Sequence, residues 1–124
     1  MNLDEFCRQW LQAWTGNKPE LLRGFYSTDA FYRDPAKPNG ISGSELLPYF
    51  QKLLGKNPEW VWKAVEILPT PKGFCLKWSA TIPAGRQTIE ETGLDIVELQ
   101  NGKISRNEVY FDRVQLLKSV NSHG

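Results

Sequence analysis

The pattern of apolar residues changes once along this chain, near Trp60, and that change limits its fold more than any other feature. Before Trp60, apolar side chains recur every three or four residues, which is typical of one face of a helix. After Trp60, apolar and polar side chains alternate, which is typical of strands with one buried face. Helices followed by strands predict an α+β fold in which the helices cover one face of a sheet.

Three helices are predicted in the first half of the chain. They cover residues 2–15, residues 19–24 and about residues 43–54, and each has one apolar face. Asn2 is placed to cap the first helix, and Gly16 is placed to end it.

Strands are predicted on either side of the third helix. The segment from Tyr26 to Asp34 is predicted as a turn and a short strand that Pro35 stops, and the residues from Pro35 to Gly40 as a loop. Four further strands are predicted at residues 60–68, 74–82, 88–99 and 103 to about 116. The Asn-Gly pair between the last two is a strong signal for a hairpin.

The predicted order of elements is therefore α-α-β-α-β-β-β-β. We expect a curved antiparallel sheet that wraps over the three N-terminal helices as a cone, with a small-molecule site on its apolar concave side. A length of 124 residues suits one core. Residues 1–118 are predicted to form this single domain, and residues 119–124 a flexible tail.

Composition excludes several functions. The chain has 15 basic and 14 acidic side chains with no basic block, so neither nucleic acid nor a membrane surface is an expected partner. It has no apolar run long enough to cross a bilayer and no apolar signal core, so the cytoplasm is the expected location. The one histidine is the penultimate residue, and Cys7 and Cys75 are isolated, so we expect no metal site and no cofactor.

Asp34 is the first candidate for chemistry. It follows a Phe-Tyr pair and precedes a proline, which places it where the chain leaves the sheet at the rim of the cone. Burial among aromatic side chains favours the neutral form of a carboxyl group, and that suits a general base working near neutral pH. The alternative is a solvated loop residue or one whose side chain caps the turn.

Asp95 and Glu91 are candidate pocket acids. They share strand parity with Ile89 and Val97, a set that is predicted to face the core. Buried carboxylates are costly unless they are paired, protonated or facing a polar pocket. The alternative is a β-bulge that turns one or both of them to solvent.

The predicted cavity also has an amide and an aromatic lining. Asn107 shares parity with Val109, which places its amide inside, either to donate to a ligand oxygen or to satisfy a neighbouring strand or acid. Five aromatic residues are predicted to line the cavity, with simple core packing as the alternative for most of them: Trp10, Trp14, Phe50, Trp78 and Phe111.

Trp60 and Trp62 leave the outer face of the sheet undecided. If either lies on that face, it indicates a homodimer formed through the outer sheet face. The alternative is that both pack internally.

Three segments occupy fixed places in this order of elements. They are Phe25-Tyr-Ser-Thr-Asp-Ala-Phe-Tyr-Arg-Asp-Pro35, Ile41-Ser-Gly43 before the third helix, and Gly93-Leu-Asp-Ile-Val-Glu-Leu-Gln-Asn-Gly-Lys-Ile104. Together with the order itself they resemble the nuclear transport factor 2-like superfamily, and most closely its SnoaL-like and ketosteroid isomerase-like members. The resemblance covers residues 3 to about 116.

The resemblance implies roles for three residues. Asp34 stands where ketosteroid isomerases keep their general base, and Asp95 where they keep a protonated aspartic acid that donates into an oxyanion hole. Trp10 stands where they keep a tyrosine donor, and an indole N–H is a weaker acid than a phenol. The chain departs from limonene epoxide hydrolase-like members, because Val109 stands where those enzymes keep an aspartate.

Three functions follow from these observations. The first is a cofactor-independent isomerase, dehydratase or polyketide cyclase-like enzyme that moves a proton on a small hydrophobic carbonyl compound. The second is a binding module of the same fold that holds an apolar ligand or dimerises without catalysis. The third is a protein-transport adaptor, for which no peptide groove is visible in the sequence.

Overall fold

A computed structural model describes residues 1–112, in which helices precede most of a six-stranded sheet. The helices are α1 (Leu3–Ala13), α2 (Pro19–Arg23) and α3 (Leu46–Lys56), with one turn of 3₁₀-helix at Gly43–Glu45 directly before α3. The strands are β1 (Tyr26–Asp34), β2 (Lys37–Ser42), β3 (Val61–Thr70), β4 (Gly73–Ala84), β5 (Gln87–Gln100) and β6 (Lys103–Tyr110). The predicted α+β class is confirmed.

The last strand is shorter than the predicted range of 103 to about 116. β6 ends at Tyr110, so residues 111 and 112 are not part of it. The rest of that prediction, together with the domain boundary at residue 118 and the tail at 119–124, lies outside the described residues.

α1 forms where its sequence predicts it. The side chain of Asn2 caps the helix, since its Oδ1 accepts the backbone N–H of Glu5 at 3.0 Å. Gly16 has a φ of +86°, a left-handed conformation that suits glycine and turns the chain away after the last helical turn. The apolar stripe of α1 is buried and carries Trp14 to the concave face of the sheet.

The sheet is mixed rather than wholly antiparallel. Its strand order is β2-β1-β6-β5-β4-β3, and β3 to β6 form the predicted antiparallel meander. β1 pairs with β6 in the parallel direction, which corrects the antiparallel prediction for that pair. The parallel pair arises because the long connection through α3 and the meander returns the chain beside β1.

β2 corrects the predicted loop from Pro35 to Gly40. It pairs antiparallel with β1, with Asp34 opposite Lys37 and Phe31 opposite Ser42. A proline and a glycine obscure this strand in the sequence, but β2 is the edge of the sheet and an edge strand tolerates both. At Gly40 the φ is +81°, and an added Cβ would lie 2.3 Å from the Phe31 ring.

The core lies between the concave face of the sheet and the helices. Trp10, Tyr32, Phe50 and Phe74 are among its largest fully buried side chains. No helix within residues 1–112 is long and apolar enough to cross a membrane.

Candidate functional site

A cavity of about 180 Å³ opens between the concave face of the sheet and helices α1 and α3. Its wall is mainly aromatic and aliphatic, with three carboxyl groups. The aromatic lining residues are Trp14, Tyr32, Tyr49, Trp60, Trp62, Trp78 and Phe111, and the carboxyl groups are those of Asp34, Glu91 and Asp95. The predicted pocket acids thus face one shared space.

Asp34 closes one end of this cavity at the end of β1. Its side chain is 6% exposed, and its Oδ2 accepts hydrogen bonds from the hydroxyls of Tyr32 at 2.8 Å and Tyr49 at 2.6 Å. Its Oδ1 accepts the backbone N–H groups of Ala36 at 2.8 Å and Lys37 at 3.0 Å. A carboxylate offers about four acceptor positions, so Asp34 is fully partnered and also caps the β1–β2 turn.

Asp95 lies on the concave face of β5, as its strand parity predicts. The indole N–H of Trp78 donates to its Oδ1 at 2.7 Å, and the amide of Asn107 donates to its Oδ2 at 3.2 Å. Burial raises the pKa of Asp95 to about 7, against the two donors, which lower it, and together with the charge of Asp34, which raises it. Asp95 is therefore poised to hold or release a proton near neutral pH.

Asn107 has a supporting position. It is fully buried, its amide oxygen accepts the hydroxyl of Tyr26 at 2.8 Å, and it does not line the cavity. The arrangement matches the alternative in which the amide satisfies a neighbouring acid. Tyr26 and Asn107 hold Asp95 from behind the cavity wall.

Glu91 is the least satisfied of the three acids. It is 8% exposed, and its Oε1 has no hydrogen-bond partner among the described residues. Burial raises its pKa, and the nearby charge of Asp112 raises it further. Neither Glu91 nor Asp95 is turned to solvent by a β-bulge, because the β4–β5 register is regular from Gly73 to Ala84.

Gly93 lies between these two acids on the same face of β5. A Cβ at this position would lie 2.1 Å from the ring of Trp78, its cross-strand neighbour. The glycine therefore lets the indole lie flat enough across β5 to reach Asp95.

Of the five aromatic residues predicted to line the cavity, three do and two do not. Trp14, Trp78 and Phe111 line the cavity, whereas Trp10 and Phe50 are fully buried behind it. The indole N–H of Trp10 has no hydrogen-bond acceptor among the described residues. Burial raises the pKa of Tyr26, and the nearby indole of Trp10 partly lowers it. The indole that donates to Asp95 is thus that of Trp78 on β4, since α1 turns Trp10 into the core.

Sequence reasoning missed the two tyrosines that hold Asp34. Tyr32 lies two residues before Asp34 on β1 and so shares its face, a signal that was available in the sequence. Tyr49 comes from α3, and only the tertiary fold brings its hydroxyl to the same carboxylate.

Trp60 and Trp62 follow the internal alternative. Both line the cavity, and the ring of Trp62 lies 6.0 Å from that of Trp14. They therefore give no support to a dimer.

Comparison with known proteins identifies the fold. The profile of the SnoaL-like domain matches residues 7–107. A protein with a ketosteroid isomerase-like fold from Catenulispora acidiphila, in complex with trimethylamine, has a TM-score of 0.80 at 15% identity, over 97% of this chain and 95% of that chain. IdmH, a proposed polyketide cyclase from Streptomyces antibioticus, has a TM-score of 0.79 at 15% identity, over 98% and 99%.

A third structure of this fold carries a larger ligand. TerC, co-crystallised with polyporic acid, has a TM-score of 0.77 at 13% identity, over 94% of this chain and 96% of that chain. Identities this low establish a shared fold and no shared activity. Among curated proteins, none matches the chain.

Proposed function

This chain belongs to the SnoaL-like domain family, and we propose that it binds a small hydrophobic carbonyl compound in its cavity and catalyses proton transfer on it. The observation that carries the proposal is that Asp34 and Asp95 line one apolar cavity under different conditions of hydrogen bonding and burial. The chemistry is of the isomerase, cyclase or dehydratase type and uses no cofactor. The predicted cytoplasmic location stays a prediction.

The size and lining of the cavity support a compact ligand. An apolar cavity of about 150 Å³ accommodates a benzene molecule. A volume of about 180 Å³ therefore suits a compound of about one ring, packed against Trp14, Trp62 and Trp78. Complexes of this fold with trimethylamine and with polyporic acid support small organic ligands as the class.

Asp95 supplies the acid in this proposal. With a pKa of about 7 it is protonated in about half of the molecules at neutral pH, and its proton can be donated to a carbonyl oxygen in the cavity. The indole of Trp78 and the amide of Asn107 fix the carboxyl group, so it needs no reorientation when charge develops on that oxygen.

Asp34 supplies the base. To accept a proton from carbon, its Oδ2 must exchange one of its two hydroxyl donors for the ligand. Both tyrosines line the cavity, and Tyr49 is the donor that yields because it is half-buried whereas Tyr32 is buried. The C–H bond then breaks, the proton forms an O–H bond with Asp34, and the enolate oxygen is stabilised by Asp95.

Tryptophan fluorescence tests the binding step. Trp14, Trp60, Trp62 and Trp78 line the cavity, so a bound compound must alter their emission. Titration with a panel of cyclic ketones and substituted phenolic ketones is expected to give saturable changes in emission with the members that contain one ring. The proposal fails if no member of the panel perturbs the emission.

A second candidate function is a non-catalytic binding or dimerisation module, and the outer face of the sheet favours it. Leu94 and Tyr110 are directly opposed on β5 and β6, and both are more than a third exposed. Leu68 on β3 is half exposed, and it lies in the cross-strand row of Cys75 and Ile96. These three exposed apolar side chains, which lie among charged residues such as Lys77 and Arg33, support a homodimer through the sheet.

Light scattering tests the dimer. The parent is expected to show twice the mass of one chain at micromolar concentration, and Leu94→Lys to show the mass of one chain. A charge-neutral control is Thr92→Ser on the same face of β5. A parent that stays monomeric at high concentration contradicts the dimer and leaves the cavity proposal untouched.

A further inference from the structure

We infer that the ligand of this cavity carries a positive charge, as an amine or quaternary ammonium group, and that Glu91 receives it. The inference rests on the proposed function, because it concerns the same cavity and narrows the class of carbonyl compound to one bearing an ammonium group. It is carried by the charge of the wall, by an unpartnered oxygen and by the aromatic lining.

The wall of the cavity has one sign of charge. Three carboxyl groups line it, and within residues 1–112 no lysine, arginine or histidine does. Lys37, which is exposed, lies over the ring of Tyr49 with its Nζ 5.6 Å from the ring centroid, and it does not line the cavity. A cavity with acids and no base favours a cationic occupant over an anionic or neutral one.

Glu91 lines this space and has one acceptor without a partner. Its Oε1 is buried and has no hydrogen-bond donor among the described residues, and a buried carboxylate oxygen without a partner is costly. Asp34 and Asp95 differ in this respect, since both their oxygens accept hydrogen bonds. An ammonium group beside Glu91 would supply the missing counter-charge.

The rest of the wall suits an organic cation. Trp14 and Trp62 are tilted by 52°, and Trp78 and Phe111 by 68°, so the rings form angular walls. Aromatic rings attract cations, most strongly when water is excluded. The acids are spread over the wall: no three carboxyl, thiol or imidazole groups among the described residues lie close enough to hold a metal ion. Carboxyl groups spread over the wall suit an organic cation, whose positive charge is distributed over a bulky ammonium group.

A pair of isosteres separates charge from shape. Choline and 3,3-dimethylbutan-1-ol differ only in that a quaternary nitrogen replaces a quaternary carbon. Calorimetric titration of the intact chain at pH 8 and constant ionic strength is expected to give at least tenfold tighter binding of choline. Glu91→Gln is expected to reduce choline affinity about tenfold and to leave the affinity for the alcohol unchanged.

Glu90→Gln is the matched control. Glu90 is adjacent in sequence, but its exposed side chain accepts from Thr81 on the opposite face of the sheet. This variant is expected to bind both probes as the parent does. Thermal melting of Glu91→Gln verifies its fold, and we expect it to melt above the parent because an unpartnered buried charge is removed.

Three results would overturn the inference. If the alcohol binds as tightly as choline, or if Glu91→Gln weakens both probes equally, the cavity does not select a cation, and the proposed function stands if cyclic ketones bind. If ketones, choline and the alcohol all fail to bind, the inference and the proposed function fall together.

Discussion

Two regions of the cavity wall carry acids under opposite conditions. At the Asp34 end, defined by Asp34 with Tyr32 and Tyr49, four donors hold one carboxylate. On the β5 row, defined by Glu91, Gly93 and Asp95, one acid has two donors and a pKa of about 7, and the other has a bare oxygen. Carboxyl groups are thus fully hydrogen-bonded at the Asp34 end, and buried with fewer donors on the β5 row.

The contrast between the two regions comes from what surrounds each carboxyl group. At the Asp34 end, two donors are backbone N–H groups of the β1–β2 turn, and the other two are hydroxyls carried by β1 and α3. The β5 row is flanked by apolar side chains, so burial is the largest cause that raises the pKa of Glu91 and Asp95. Pairs of acids in different environments are the usual way to obtain two roles from carboxyl groups.

The largest expected effect is the pH dependence that Asp95 imposes on stability. Its pKa rises from 3.8 unfolded to about 7 folded, so between pH 4 and 7 the folded chain keeps a proton that the unfolded chain has lost. Stability therefore falls as the pH rises through this window, by about 4 kcal/mol for this group. Asp95→Asn is expected to remove this loss in urea unfolding at pH 4, 6 and 8.

The control for this prediction is Asp29→Asn, an exposed acid on β1. It should follow the parent at each pH. If the difference between the parent and Asp95→Asn is the same at pH 4 and pH 8, Asp95 does not carry a raised pKa and the β5 row is not distinct from the Asp34 end.

The next effect concerns the glycine that opens the β5 row. Gly93→Ala places a methyl group 2.1 Å from the Trp78 ring, which must shift and loosen its hydrogen bond to Asp95. We expect a loss of about 1–3 kcal/mol in the free energy of unfolding, measured with urea.

Gly55→Ala is the matched substitution on α3, where an added Cβ meets nothing within 4 Å. Because alanine favours helix, it should raise stability by about 0.5–1 kcal/mol. A Gly93→Ala variant as stable as the parent would show that the indole of Trp78 does not depend on this glycine.

The smallest effect belongs to the Asp34 end. Tyr49→Phe removes a 2.6 Å hydrogen bond to a carboxylate that keeps three other donors, and we expect a cost of about 1–2 kcal/mol. Tyr110→Phe, on the exposed outer face, should change stability by less than about 0.5 kcal/mol. Equal effects of the two substitutions would mean that Tyr49 contributes nothing to fixing Asp34.

Periodicity in the sequence predicted which residues of β5 and α1 face the core. The alternation of β5 placed Glu91 and Asp95 inside, and the helical spacing of α1 placed Trp10 and Trp14 inside. Periodicity could not show which inward side chains meet, because that depends on how far α1 lies from each strand. The resemblance implied an indole donor at Trp10, whereas the indole that donates to Asp95 belongs to Trp78.

β2 shows the second limit of sequence reasoning. Pro38 and Gly40 are unfavourable in a strand, and their cost disappears only at the edge of a sheet, where one side of the strand has no partner. The position of β2 in the sheet follows from β1, not from its own residues. The two turn donors of Asp34 match the alternative in which its side chain caps the turn, whereas its donor Tyr49 on α3 was not predicted.

Hydrogen–deuterium exchange on a bound ketone tests proton transfer most directly. Cyclohexanone is incubated with the protein in D₂O, and loss of its α-proton signal is followed by NMR, with Asp29→Asn as the control. The parent and the control are expected to accelerate exchange, whereas Asp34→Asn is expected to lower the rate about 100-fold or more and to change the affinity for the ketone less than about twofold. Equal exchange rates for Asp34→Asn and the parent would show that Asp34 is not the base.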